Sequence, residues 1–136
     1  MSGHGFRRVA LAATLVLCAA CSSGGPTPVS MPGSVVNKGT VNLGSAAAPS
    51  VTVNMGDDWF SPSFVKAAPG TAVTVTVVEE GDVAHTFTID GQNIDVALSK
   101  KGDRHTVTVT LPANGKPLIF YCKYHRSVGM QGALYS

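Results

Sequence analysis

The chain predicts an all-β fold, a sandwich of about eight short strands lying between residues 51 and 136. Three observations predict it. Apolar residues recur with period two, the pattern of half-buried strands. Gly, Pro and Asp clusters break the chain at short intervals, as turns between strands do. No stretch beyond the N-terminal leader shows sustained helical periodicity.

The N-terminal segment reads first as a leader. Arg7 and Arg8 supply positive charge, and Val9 to Ala20 is an apolar run of twelve residues. Such a run is too short to span a bilayer as a permanent helix and fits a secretion signal over residues 1–20. Ala19-Ala20-Cys21 places two small residues before a cysteine, which resembles a bacterial lipobox and makes Cys21 the expected lipidation site. Cys18, preceded by bulky Leu17, fits less well. Residues 21–50 are rich in Ser, Gly, Pro, Ala and Thr and read as a lipidated N-terminus followed by a flexible linker.

From residue 51 the pattern changes. Val73, Val75 and Val77 share one face of a strand, with Thr74 and Thr76 on the other. Val107, Val109 and Leu111 alternate in the same way with Thr106, Thr108 and Thr110. β-Branched residues suit a pleated, half-buried surface. Turns are expected at Pro69-Gly70, Glu80-Gly81-Asp82, Asp90-Gly91, Lys101-Gly102-Asp103 and between Pro112 and Pro117. Ile94 to Lys101 is the one stretch that suggests a short turn of helix.

Charge excludes some functions. The whole chain carries ten Lys+Arg and eight Asp+Glu. Loss of Arg7 and Arg8 with the leader leaves eight against eight, a net charge of zero with His neutral. A balanced domain lacks the basic face that nucleic acid needs, and it has no polybasic stretch to hold a lipid surface. Membrane attachment is therefore expected through the N-terminal lipid.

The chemistry concentrates near the C-terminus. Of three cysteines, Cys122 is the only one beyond the leader and its junction. An unpaired thiol in an exported domain calls for a reason, and metal ligation is one. Cys122, His125 and Met130 fall within nine residues, Cys-Lys-Tyr-His-Arg-Ser-Val-Gly-Met, and His85 in Ala-His-Thr-Phe supplies a second imidazole. Two imidazoles, a thiolate and a weak axial thioether form the donor set of an electron-transfer copper. Strand parity supports convergence: His85 shares a face with Phe87 and Ile89, and Cys122 shares one with Phe120 and Leu118. If the two strands run antiparallel, both ligands fall at one end of the sandwich. His105 is the competing imidazole, with inward parity beside Val107. Asp57 and Asp58 read as a solvated turn. Backbone N–H groups near Asn54 or Met55 are the expected donors to the thiolate.

The run Cys-x-x-His-x-x-x-Gly-Met-x-Gly, ahead of a short final strand, resembles the copper loop of the plastocyanin-like cupredoxins. The resemblance spans roughly residues 51–136 and implies a Greek-key sandwich of eight strands. It implies one copper ion cycling between Cu(I) and Cu(II), with His85, Cys122 and His125 as tight ligands and Met130 as the long axial one. The implied activity is one-electron transport to a redox partner protein, by a monomer that is not an enzyme. With the leader, it implies an exported lipoprotein facing the periplasm or the cell exterior. The alternative is a lipoprotein that sequesters or delivers copper. Lys123-Tyr124 stands where plastocyanins favour Ser and Pro, and Lys123 and Arg126 put two cations beside His125, candidates for steering an acidic partner.

Overall fold

The computed structural model describes residues 26–136. The expected leader and the expected lipidation at Cys21 lie outside the described residues. Ten strands follow in chain order. They are β1 (Thr40–Asn42), β2 (Ser50–Gly56), β3 (Trp59–Ser61), β4 (Phe64–Lys66) and β5 (Ala72–Glu79). The rest are β6 (His85–Ile89), β7 (Ile94–Leu98), β8 (Arg104–Thr110), β9 (Leu118–Tyr121) and β10 (Gln131–Tyr135). Among the described residues the one helical element is a 3-10 turn, Arg126–Val128.

Two sheets share these strands. One has six strands in the order β1-β4-β10-β9-β6-β7, the other four in the order β3-β2-β5-β8. The period-two pattern decides the faces. On β5, Val73, Val75 and Val77 are buried, while Ala72 and Thr74 are exposed. β5 pairs parallel with β2 and antiparallel with β8, in a register that sets Val75 beside Val107. The sheets meet over three phenylalanines, Phe60 from the smaller and Phe87 and Phe120 from the larger. Phe60 lies edge-on to Phe120 at 5.1 Å between ring centroids and to Phe87 at 6.0 Å. Offset and edge-to-face geometry suits ring quadrupoles, adding about 0.5–1.5 kcal/mol per pair beyond simple burial.

Two expectations meet a different outcome. Ile94 to Leu98 is strand β7, not helix, because it pairs antiparallel with β6 from His85↔Leu98 to Ile89↔Ile94. Part of the expected linker packs on the sandwich, since contacts to it begin well before residue 51. β1 pairs parallel with β4. Val36 donates its N–H to the Gly129 carbonyl at 2.9 Å, and the Ser63 hydroxyl bonds to Val36 O and receives Lys38 N–H.

Candidate metal centre

β6 pairs antiparallel with β9, Thr88 opposite Tyr121. This sense brings the start of β6 and the end of β9 to the same end of the sandwich. His85 opens β6 and Cys122 follows β9, so both stand there, and both are fully buried.

The loop after Cys122 closes tightly on itself. Cys122 donates its N–H to Met130 O and Met130 donates its N–H to His125 O, each at 3.1 Å. Arg126 N–H reaches Cys122 O at 3.0 Å, and Gly129 N–H reaches Arg126 O at 3.0 Å. Gly129 adopts φ 101°, a left-handed conformation that a side chain would strain. A Cβ there would also stand 3.1 Å from Val36 N. The result holds Cys122 and Met130 side by side on the extension of the β9–β10 ladder, with Met130 fully buried.

The side chains converge on the thiol. Cys122 Sγ lies 3.7 Å from His125 Nδ1 and accepts the Thr86 N–H at 3.4 Å. The donor to sulfur is thus Thr86, not the backbone of Asn54 or Met55. Thr86 also receives Lys123 N–H on its hydroxyl at 2.9 Å, which ties β6 to the start of the loop. The His85 and His125 ring centroids are 5.1 Å apart. His125 is half-buried, so one imidazole edge of the cluster reaches toward solvent while the other is sealed. His105 is exposed on β8, opposite Val77, and takes no part. β8 is the outer strand of its sheet, where inward parity near a strand end does not ensure burial.

Sequence reasoning missed Glu79. It is fully buried, and both its carboxylate oxygens lie within hydrogen-bond distance of His85 Nδ1, at 2.9 and 3.0 Å. One of them also accepts Gly81 N–H at 2.7 Å. Its signal was the parity of Val73, Val75 and Val77, which Glu79 continues on β5. His85 Nε2 is buried with no hydrogen-bond partner. Among the described residues no three His, Cys, Asp or Glu side chains form a ready-made metal cage. The donor set nevertheless fits copper. It offers a buried unpaired thiol with an N–H donor, a neighbouring imidazole, an orphaned imidazole nitrogen and a buried thioether.

The cations of the loop are engaged. Lys123 Nζ sits 2.6 Å from Asp95, and the Arg126 guanidinium lies 4.1 Å above the Tyr121 ring. The Lys123 hydrogen bond holds the Asp95 carboxyl below its ordinary range and raises the Lys123 ammonium. Among the described residues the exposed large apolar side chains are Val83, Tyr124 and Val128, each within three residues of His85 or His125.

The family model for a cupredoxin-like domain matches residues 8–135, and the chain belongs to that family. No curated protein sequence matches it. Among solved structures it is similar to dithionite-reduced auracyanin from the photosynthetic bacterium Roseiflexus castenholzii, at 17% identity and a TM-score of 0.53. That match covers 66% of this chain and 98% of auracyanin. A chain of a heme-copper terminal oxidase dimer is similar at 16% identity and a TM-score of 0.54, over 65% of each chain. At these identities the likeness is one of fold.

Proposed function

We propose that this cupredoxin-like chain holds a single type 1 copper through His85, Cys122, His125 and Met130 and carries one electron at a time between partner proteins. The reading extends to an exported protein anchored by lipid on Cys21. One observation carries the redox reading: the unpaired thiol is buried, receives an N–H from Thr86 and stands beside an imidazole. A structural cysteine has no need of that company.

Copper, when bound, supplies the Cu(I)/Cu(II) couple. The residues do the rest. Thr86 N–H draws charge from the sulfur, one of the levers that tune such a site. The backbone bonds among Cys122, His125, Arg126 and Met130 keep the loop in one shape in either redox state, which favours fast exchange. Burial of His85, Cys122 and Met130 excludes water. The half-buried His125 edge, flanked by exposed Tyr124 and Val128, is the face on which a partner protein docks. Lys123 contributes less to steering than its charge suggests, because Asp95 neutralises it.

Voltammetry of the copper-loaded chain with a Cu(I) chelator present tests carrier against delivery protein. A reversible one-electron wave that persists supports the carrier. Rapid loss of the wave as the chelator takes the ion shows a delivery role instead.

A further inference from the structure

Met130 stands between two residues that the N-terminal segment grips. The residue before it, Gly129, accepts the Val36 N–H on its carbonyl at 2.9 Å. The residue after it, Gln131, donates its buried side-chain amide to Pro32 O at 3.2 Å and Ser34 O at 2.7 Å. The fit is close on both sides. A Cβ on Gly129 would stand 3.1 Å from Val36 N and 3.5 Å from Ser34 Oγ, and one on Gly33 would stand 3.6 Å from Gln131 Nε2. The far end of the segment is fixed as well. Ser63 Oγ bonds to Val36 O and receives Lys38 N–H, and Asn37 bridges Phe60 in parallel. Residues 32–38 thus run as a strap from the Phe60 backbone to the loop of Met130.

Gln131 carries the argument. A primary amide taken almost fully out of water is costly unless its donors and acceptor are met. Its nitrogen serves the two strap carbonyls, and its oxygen accepts Arg126 Nε–H at 3.3 Å. The strap also reaches the peptide units that flank Met130. A peptide unit is planar, so holding both its ends fixes its orientation. In the unit before Met130, Val36 N–H holds the Gly129 oxygen and the Met130 N–H is held by His125 O. In the unit after it, Cys122 N–H holds the Met130 oxygen and the Gln131 N–H is held by Gly129 O. Strand register then gives the direction of the side chain. Gln131 pairs antiparallel with Tyr121, and one step further sets Met130 opposite Cys122. Directly opposed residues point to the same face, so thioether and thiol share one, and both are fully buried.

We infer that residues 32–36 are the positioning element of Met130: through the Gly129 carbonyl and the Gln131 amide they set the axial thioether donor in place. A weak axial ligand is bound loosely by the metal and tunes the potential of such a site, so the chain must place it. The inference rests on the copper reading above, and its test separates the two.

The full chain, labelled with 13C-methyl methionine, is measured by NMR copper-free and in the diamagnetic Cu(I) form, with Met130→Leu to assign the line. Gln131→Leu removes both strap bonds and the Arg126 contact. Gln131→Glu keeps an acceptor for Arg126 but sets oxygen against the Pro32 and Ser34 carbonyls. Both variants are expected to move the Met130 methyl line toward that of free methionine and to leave Met55, buried in the core, unmoved. Both are expected to weaken Cu(I) binding about five- to tenfold, the factor that one lost hydrogen bond of ordinary net strength is worth. A Met130 line unmoved in both variants overturns the inference and leaves the copper reading intact. A Gln131→Glu chain that matches wild type assigns the effect to Arg126 and also overturns it. A chain that binds no copper overturns both. Where neither variant folds, hydrogen exchange of the wild-type copper-free chain decides. The Val36 and Met130 amides are expected to exchange together as one slowly opening unit. A Val36 amide that exchanges freely while Met130 stays protected refutes the strap.

Discussion

Gln131→Leu tests whether the segment before β1 secures the loop that carries Met130. Gln131 is almost completely buried, and its amide donates to Pro32 O at 3.2 Å and Ser34 O at 2.7 Å, partners nearly a hundred residues away. Its side-chain oxygen accepts Arg126 Nε–H at 3.3 Å. Leucine fills the volume and removes these bonds. At about 0.5–1.5 kcal/mol net for each bond, loss of the two carbonyl contacts costs about 1–3 kcal/mol. Pro32 and Ser34 are exposed, so water replaces the lost donor and the cost falls toward the lower end. Urea denaturation of the copper-free chain reads this as a lower midpoint at unchanged slope. The decisive control repeats the substitution in a chain that begins at residue 39. Without the partners, the cost must shrink toward that of the weak Arg126 bond, so the coupling energy is nearly the whole effect. An equal loss in both backgrounds refutes the idea that the segment holds the loop through Gln131.

Gly132→Ala is expected to destabilise by about 1–3 kcal/mol, the usual cost of overpacking a filled core. Its Cβ would meet the Ser63 carbonyl within contact distance and Phe120 Cζ at 2.5 Å, and thermal melting checks this as a drop of several degrees. The Lys123–Asp95 pair sets a pH dependence of known sign. The folded carboxyl titrates below its ordinary value, chiefly through the Lys123 hydrogen bond. The pair's contribution is therefore fully present above the ordinary carboxylate range and is lost as pH falls through the depressed folded value. Both side chains are largely exposed, so added salt weakens it. Carbon-13 NMR titration of Asp95 should show a midpoint that rises in Lys123→Met, and an unmoved midpoint contradicts the pairing.

Much of the fold was legible because β-branched alternation is a local signal. Val73, Val75 and Val77 announced β5, and the Cys-to-Met run announced the loop. What stayed hidden is non-local or carries no mark in residue type. Thr86 reaches the sulfur through a backbone N–H that any residue owns. Glu79 borders the expected Glu80-Gly81-Asp82 turn and carries no mark of its own beyond a parity that continues Val73, Val75 and Val77. Pro32 and Ser34 are held by Gln131, which nothing nearby in sequence connects to them. Ile94, Val96 and Leu98 alternate too briefly to outweigh a helical reading, and only pairing with β6 decides for a strand.

The central claim is that Cys122 is a copper thiolate, and the visible absorption and EPR spectrum of the copper-loaded chain tests it most directly. The account predicts an intense blue sulfur-to-copper band with narrow copper hyperfine splitting, bleached on reduction and abolished in Cys122→Ser. A colourless copper-loaded protein, or a blue band that survives in Cys122→Ser, contradicts it.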